Sequence, residues 1–264
     1  MAGCIDFHTH AFADPVAHKA IPLLEQQGGI KAYLDGTTAS LLASMDRHGI
    51  DRSVVCSIAT RPEQFERIFN WSKAIRSERL EPFPSVHQDD PLLLERAQLI
   101  HDEGFKGIKM HAYYQDHMLD DPRLDDLYAL MSELGLILVI HAGYDIAYPR
   151  IQRADPARIL ALHRRFPRLK LIATHLGGWD EWEDVRALLT GQPIYMEISF
   201  ALDFLDQKRL RDILLSHHAD YLLFGTDSPW TDQGTTLKML GKLGLPDSLF
   251  DKITRGNAQR LLAE

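Results

Sequence analysis

Short apolar runs rich in β-branched residues recur along the chain, and the segments between them have helical spacing. Eight runs cover residues 4–10, 53–58, 80–86, 105–111, 136–142, 170–176, 194–200 and 222–228. This alternation indicates βα units built on a parallel sheet. Polar residues stand at the C-terminal ends of several runs, and a closed barrel gathers such ends at one face. The sequence therefore predicts an α/β fold, a (β/α)8 barrel.

The length of the chain fits this fold. A barrel of this type takes roughly 250 residues as one domain, and the chain has 264, so we expect a single domain over residues 1–264. Helix start signals support the pattern: Asp155 precedes a helix expected at 157–166, and Asp206 precedes one expected at 207–216. The long first connection, residues 11–51, is expected to hold two helices and to cover part of a pocket.

Histidine and aspartate residues at the ends of the runs indicate a metal site. His8 and His10 lie two residues apart in one run, so their imidazoles point to the same face and can bind one ion together. His141, His175 and Asp227 end later runs. A catalytic zinc takes about four N or O ligands, one of them water. Any one of these histidines could instead be a core residue, but their common position at strand ends favours the metal site.

Composition excludes several classes of partner. Lys and Arg total 29 against 37 Asp and Glu, a formal charge of −8, and there is no basic run that could follow phosphates, so nucleic acid is not expected. The longest apolar stretch, residues 134–140, is far shorter than the roughly 20 residues that span a bilayer. Cys4 and Cys56 lie in apolar runs and are expected to be free buried thiols, which indicates the cytoplasm.

Six short motifs carry a resemblance to a known family. They are DFHTH at 6–10, GIKMH at 107–111, VIHAG at 139–143, THLGG at 174–178, FGTDSPW at 224–230 and NAQRLL at 257–262. In their order and spacing the chain resembles the amidohydrolase superfamily, in particular the amidohydrolase 2 branch with its aminocarboxymuconate-semialdehyde decarboxylase relatives. The motifs extend from the first strand to the last helix, so the resemblance covers nearly the whole chain.

The resemblance implies a distorted barrel of the amidohydrolase type and a role for each site residue. One divalent ion, expected to be zinc, would be bound by the four ligands His8, His10, His141 and Asp227. His175 would be a catalytic base or acid that moves a proton, and Asp227 would also take part in proton transfer. For Asp227 the alternative is a structural role, as the cap of the helix or turn that follows.

Lys109 is open to two interpretations. In binuclear members of the superfamily a lysine at the end of the fourth strand is carbamylated and bridges two ions, and His175 would then bind the second. The branch resembled here is generally mononuclear, so we expect Lys109 to remain an amine that binds a substrate carboxylate. His111 shares its strand face and either lines the pocket or packs.

The loop after the fifth run is expected to contribute specificity. Arg150 is the predicted contact for a substrate carboxylate, although a solvated loop with incidental charges is an equal alternative. Tyr144 and Tyr148 lie in the same loop. Trp179 and Trp230 either form walls of the pocket or pack loops together.

These features together predict an enzyme. The expected activity is metal-dependent hydrolysis of a small, carboxylated or cyclic substrate. Non-oxidative decarboxylation by the same family is the alternative, since it uses nearly the same residues. A third hypothesis, a barrel that only binds a ligand, leaves the full set of metal ligands without a purpose. A small-molecule substrate and, as a candidate assembly, a homodimer are the expected partners.

Overall fold

The computed structural model describes residues 3–263. Within them lie eight parallel strands, one in each predicted run. They are β1 (Cys4–Thr9), β2 (Ile50–Cys56), β3 (Leu80–Phe83), β4 (Gly107–Met110), β5 (Ile137–Ile140), β6 (Lys170–Ala173), β7 (Tyr195–Glu197) and β8 (Leu222–Leu223).

Regular pairing groups the strands as β1-β2-β3 and β4-β5-β6-β7-β8, all parallel. Backbone hydrogen bonds close the two remaining gaps. Lys109 N donates to Pro84 O at 2.9 Å between β3 and β4, and Phe7 N donates to Phe224 O at 2.8 Å between β8 and β1. The predicted barrel is therefore confirmed, distorted at two seams where the ladder is short.

Helices surround the strands. They are α1 (Asp14–Gly28), α2 (Thr38–His48), α3 (Phe65–Ile75), α4 (Leu93–Asp102), α5 (Asp125–Leu134), α6 (Pro156–Arg165), α7 (Trp182–Asp184), α8 (Ala201–Phe204), α9 (Gln207–Ser216), α10 (Gln233–Lys242), α11 (Asp247–Asp251) and α12 (Asn257–Ala263), with short 3-10 and π turns between some of them. The first connection holds α1 and α2, as expected. Asp155 and Asp206 accept hydrogen bonds from the first turns of α6 and α9, so both predicted caps are confirmed.

Strand alternation divides the core into two layers. Leu138, Ile140 and Leu171 belong to the layer between strands and helices, whereas Val139 and Ile172 belong to a smaller cluster with Phe7, inside the barrel. Side chains two residues apart share a face, so His141, two positions after Val139, lies at the open end of the barrel. On β1 the pairing with β2 is irregular between Asp6 and Thr9, and simple alternation does not hold there.

Several strands end earlier than predicted, and the site residues that follow β6 and β8 are not extended. The runs were expected to continue to residues 176 and 228, but β6 ends at Ala173 and β8 at Leu223. His175 and Asp227 adopt left-handed backbone angles, with φ of 55° and 58°, which are incompatible with extended strand. Within residues 3–263, no helix combines the length and apolar character needed to cross a bilayer.

Candidate metal centre

His8 and His10 lie near the C-terminal end of β1, and Asp227, after β8, reaches both. Asp227 Oδ1 lies 3.2 Å from His8 Nε2 and 2.9 Å from His10 Nε2. These side chains are buried or nearly so, with the His8 residue 1% exposed. The structure thus brings three of the predicted ligands within reach of one ion, with the nitrogen and oxygen donors that a divalent ion takes from proteins.

The other ring nitrogens of these histidines have partners of their own. His10 Nδ1 lies 2.8 Å from the carbonyl oxygen of Cys56, and His8 Nδ1 lies 3.0 Å from Glu197 Oε1. A carbonyl oxygen only accepts, so neutral His10 carries its hydrogen on Nδ1 and directs a lone pair from Nε2 at the Asp227 carboxylate. A lone pair facing a carboxylate oxygen is favourable only with a cation between them, so the residues present fit a metal ion.

His141 and His175 form a second contact beside these ligands. His141 Nε2 donates to the carbonyl oxygen of Tyr144 at 3.0 Å, which leaves a lone pair on Nδ1. That Nδ1 lies 3.0 Å from His175 Nε2, and the His175 ring lies 5.5 Å from the His8 ring. The fourth predicted ligand, His141, is not part of the tight cluster of His8, His10 and Asp227. It contacts His175, and the His175 ring lies next to His8.

His111 packs behind His141. The two rings stack at 4.2 Å with an angle of 18° between them, and His111 Nε2 lies 3.3 Å from Asp145 Oδ2. Burial by itself would raise the pKa of Asp145, but the hydrogen bond from His111 and the nearby imidazoles lower it to about 2. His141 Nε2 also lies 3.8 Å from Asp145 Oδ2, so these three side chains form a second group of converging polar atoms. His111 Nε2 donates to Asp145 and His141 Nε2 donates to the carbonyl oxygen of Tyr144, so both nitrogens carry hydrogen and this arrangement supports the His141 ring.

Lys109 is buried inside the barrel. The residue is 1% exposed, and its Nζ lies 3.3 Å from His8 Nε2. Burial lowers the pKa of this amine, while the negative charge of Asp227 acts in the opposite direction. A buried amine beside a candidate ligand atom of His8 suits the predicted role of binding an anionic group.

Burial also sets the protonation of the imidazoles. It lowers the pKa of His8, His141 and His175, and the nearby Lys109 lowers each further. These rings are therefore neutral at neutral pH, and the neutral ring is the form that binds a metal ion.

Arg150 is largely exposed and has partners of its own. Its side chain is 60% exposed, forms an ion pair with Asp180 at 2.6 Å, and lies over the Tyr144 ring at 4.1 Å. The structure therefore places Arg150 at the surface of the loop after β5, where its charge is already matched. Its role in substrate binding stays a prediction.

An open cavity of about 360 Å³ adjoins the centre, with Tyr33, Phe200, Phe204 and Trp230 among its lining residues. The ring of Phe200, one of these lining residues, lies 5.7 Å from the His175 ring, so Phe200 stands between the cavity and the histidines. Trp230 lines it, which is one of the two roles considered from the sequence.

Sequence reasoning missed several polar residues of this region. Glu197 ends β7 and Ser199 follows it two residues later, and both are fully buried next to His8 and His175. Glu197 could have been recognised as a candidate, because a charged residue within the apolar run 194–200 is unusual in a buried strand. Asp6 and Asp145 were also missed. Asp6 is the acidic residue of the DFHTH motif itself, whereas nothing in the loop sequence distinguishes Asp145 from a surface acid.

Comparison with known proteins identifies the family. The family model described as Amidohydrolase matches residues 5–263, almost the full length. The chain belongs to the amidohydrolase family. A search among curated protein sequences found no match.

Solved structures share the fold of this amidohydrolase. An uncharacterised TIM-barrel protein from Bordetella bronchiseptica has a TM-score of 0.81 at 20% identity, with 98% of each chain covered. A 5-carboxyvanillate decarboxylase from Sphingomonas paucimobilis has a TM-score of 0.75 at 15% identity, with 100% of this chain and 99% of that chain covered. A dihydroxybenzoic acid decarboxylase from a Polaromonas species was solved with bound manganese and the inhibitor 2-nitroresorcinol. It has a TM-score of 0.75 at 16% identity, with 100% of this chain and 97% of that chain covered.

The family confirms the general predictions. This amidohydrolase is an enzyme of a metal-dependent family, and its buried His and Asp clusters are candidate metal sites.

Proposed function

We propose that this enzyme hydrolyses a small, carboxylated or cyclic substrate at a carbonyl carbon. The observation that carries the proposal is the convergence of His8 Nε2 and His10 Nε2 on one oxygen of Asp227, 3.2 Å and 2.9 Å away, at the open end of the barrel. Active sites of barrels of this type lie at this end.

One divalent ion would be held by His8, His10 and Asp227, with His141 Nδ1 as the fourth donor. Bound there, the ion would polarise a substrate oxygen and lower the pKa of a coordinated water towards about 7. Nitrogen and oxygen donors suit zinc, which we expect, and the manganese of the Polaromonas decarboxylase is the alternative.

The groups around the ion handle the proton and the substrate. His175 Nε2 would take up or release the proton, since Ser199 Oγ, 2.9 Å from Nδ1, holds the other side of the ring. Asp227 can accept a proton through its carboxylate. Lys109 would bind the substrate carboxylate as an unmodified amine, and His111 would help to line that side of the pocket.

Decarboxylation is the second candidate. Two of the similar solved structures are decarboxylases of aromatic acids, and loss of carbon dioxide needs the same groups to bind a carboxylated substrate and supply a proton. The aromatic lining of the cavity suits such a ring.

The experiment that separates these reactions uses metal-loaded protein and two sets of compounds. One set contains esters, lactones and amides with a carboxylate, assayed in ¹⁸O-labelled water. The other contains hydroxybenzoates labelled with ¹³C at the carboxyl group. Transfer of ¹⁸O to the product supports hydrolysis. Release of ¹³CO2 without such transfer contradicts the hydrolase proposal and selects the second candidate.

Three further predictions accompany the proposal. We propose that residues 1–264 form a single domain, that the enzyme acts in the cytoplasm, and that it assembles as a homodimer. The free, buried thiols of Cys4 and Cys56 support the prediction that the enzyme acts in the cytoplasm.

A further inference from the structure

Glu197 lies at the end of β7, between β6, which precedes His175, and β8, which precedes Asp227. Its side chain is fully buried, and each of its contacts comes from a group that can donate. Glu197 Oε1 accepts hydrogen bonds from His175 N at 2.8 Å and Ser199 Oγ at 2.7 Å, and it lies 3.0 Å from His8 Nδ1. Glu197 Oε2 accepts from Ser199 N at 2.7 Å. A group surrounded by donors must be an acceptor, which an ionised carboxylate is at both oxygens.

The local sequence makes room for this carboxylate. Gly225, after β8, has no side chain, and a Cβ atom there would lie 2.1 Å from Glu197 Oε2 and 3.2 Å from the Cβ of His8. Backbone or side chain would have to move to admit even a methyl group. Gly225 follows the strand that pairs with β7, and its missing side chain therefore leaves space for the Glu197 carboxylate.

The hydrogen-bond directions determine which ring nitrogen of His8 and of His175 carries the lone pair. Because Glu197 accepts, His8 carries its hydrogen on Nδ1 and directs the lone pair of Nε2 at Asp227. Ser199 gives its hydrogen to Glu197, so its oxygen accepts from His175 Nδ1 at 2.9 Å. The lone pair of His175 is then on Nε2, the atom that faces His141.

We propose that Glu197 is a positioning residue for both histidines, acting directly on His8 and through Ser199 on His175. One buried carboxylate thus selects the tautomer of an ion ligand and of the group that moves the proton. The inference rests on the proposed function, because it concerns the ion and the proton transfer at that same centre. Hydrogen bonds of this kind to metal-binding histidines strengthen ion binding about 10- to 100-fold.

The first test measures ion affinity, which requires no substrate. Zinc or cobalt is titrated against a competing chelator in wild type, Glu197→Gln and Glu81→Gln. In Glu197→Gln one oxygen becomes an NH2 group that faces donors, so we expect about 10- to 100-fold weaker binding. Glu81→Gln is the matched control, since Glu81 is also a buried strand glutamate but is paired with Arg52, and its affinity should equal that of wild type.

The second test reads the tautomers directly in the metal-loaded wild-type protein. Long-range ¹H–¹⁵N correlation spectra distinguish a protonated ring nitrogen from one with a lone pair, and they do not depend on a variant folding. We expect hydrogen on Nδ1 of both His8 and His175.

The outcomes separate this inference from the proposed function. Native affinity in a folded Glu197→Gln protein, or a lone pair on His8 Nδ1, overturns the inference alone. A wild-type protein that binds no ion overturns the proposed function as well.

Discussion

Asp6 Oδ2 accepts a hydrogen bond of 2.6 Å from Thr226 Oγ1, which joins β1 to the segment after β8 immediately beside the candidate ligands that they carry. The same carboxylate accepts from His8 N and Thr226 N through Oδ1, and from Gln233 Nε2 through Oδ2. Thr226 is next to Asp227. One buried side chain therefore sets the spacing between His8 and Asp227.

Replacement of Asp6 by Asn should destabilise the fold. The new amide NH2 must face donors on one side, and an unsatisfied buried donor costs about 1–3 kcal/mol. Denaturant unfolding at neutral pH measures the loss. Asp206→Asn, at the cap of α9, is the control, since Asn caps a helix about as well as Asp. Equal unfolding free energies for the two variants would contradict this role of Asp6.

Metal binding should depend on the converging ligands. We expect wild-type protein to hold close to one divalent ion per chain, and His10→Ala and Asp227→Asn to lose most of it, because each removes a donor from the cluster. Elemental analysis after dialysis is the measurement. His101, whose side chain is 42% exposed, provides the control His101→Ala, which should retain the ion. Retention of a full ion by both ligand variants would refute the assignment.

His175→Ala should keep most of the ion and lose about 100-fold or more in turnover, the usual scale for a general acid or base. Its Nε2 lies 3.0 Å from His141 Nδ1, and His175 is not part of the cluster of His8, His10 and Asp227. Metal content and turnover must be measured on the same preparation. If the variant loses the ion in proportion to its activity, then His175 is a ligand.

Lys109→Met should retain the ion but bind a carboxylated substrate more weakly, because the buried positive charge is removed. A raised KM with little change in metal content is the expected result. Arg150→Ala tests the other predicted contact, and its exposed ion pair with Asp180 leads us to expect a smaller effect. Detection of a carbamate on Lys109 by ¹³C NMR with labelled bicarbonate would instead indicate the binuclear form.

His217 should make stability depend on pH. It packs at the end of α9, with Gly191 N donating to Nδ1 at 3.2 Å and Nε2 donating to the carbonyl oxygen of Ile194 at 3.0 Å. Burial lowers the pKa of His217 to about 4, below the ordinary value near 6.5. As the pH falls, His217 is protonated in the unfolded chain before it is protonated in the folded protein. The contribution of neutral His217 to the free energy of unfolding is therefore complete above about pH 6.5 and is lost as the pH falls towards 4.

The measurement compares unfolding free energies at pH 7.5 and pH 5 in wild type and His217→Gln. In wild type, His217 should account for about 2 kcal/mol of the decrease in unfolding free energy from pH 7.5 to pH 5. The decrease in the variant should be smaller by that amount. The same pH difference in both proteins would show that His217 titrates normally.

The sequence by itself determined the eight strands and the barrel, and it indicated most of the candidate ligands. This was possible because strand periodicity and cap residues such as Asp155 are local signals, and a parallel barrel must place strand ends at one face. His8 and His10 needed only their spacing of two, and the order of the motifs indicated the family.

The tertiary structure decided which of these side chains meet and what orients them. Glu197 contacts His8 across 189 positions of sequence, and Asp6 contacts Gln233 across 227, so no local pattern could reveal either pair. Arg150 could not be placed from the sequence for the same reason, because the partner that holds it, Asp180, comes from another loop. Periodicity fixes the direction of a side chain from its strand, whereas its partner depends on how distant segments pack.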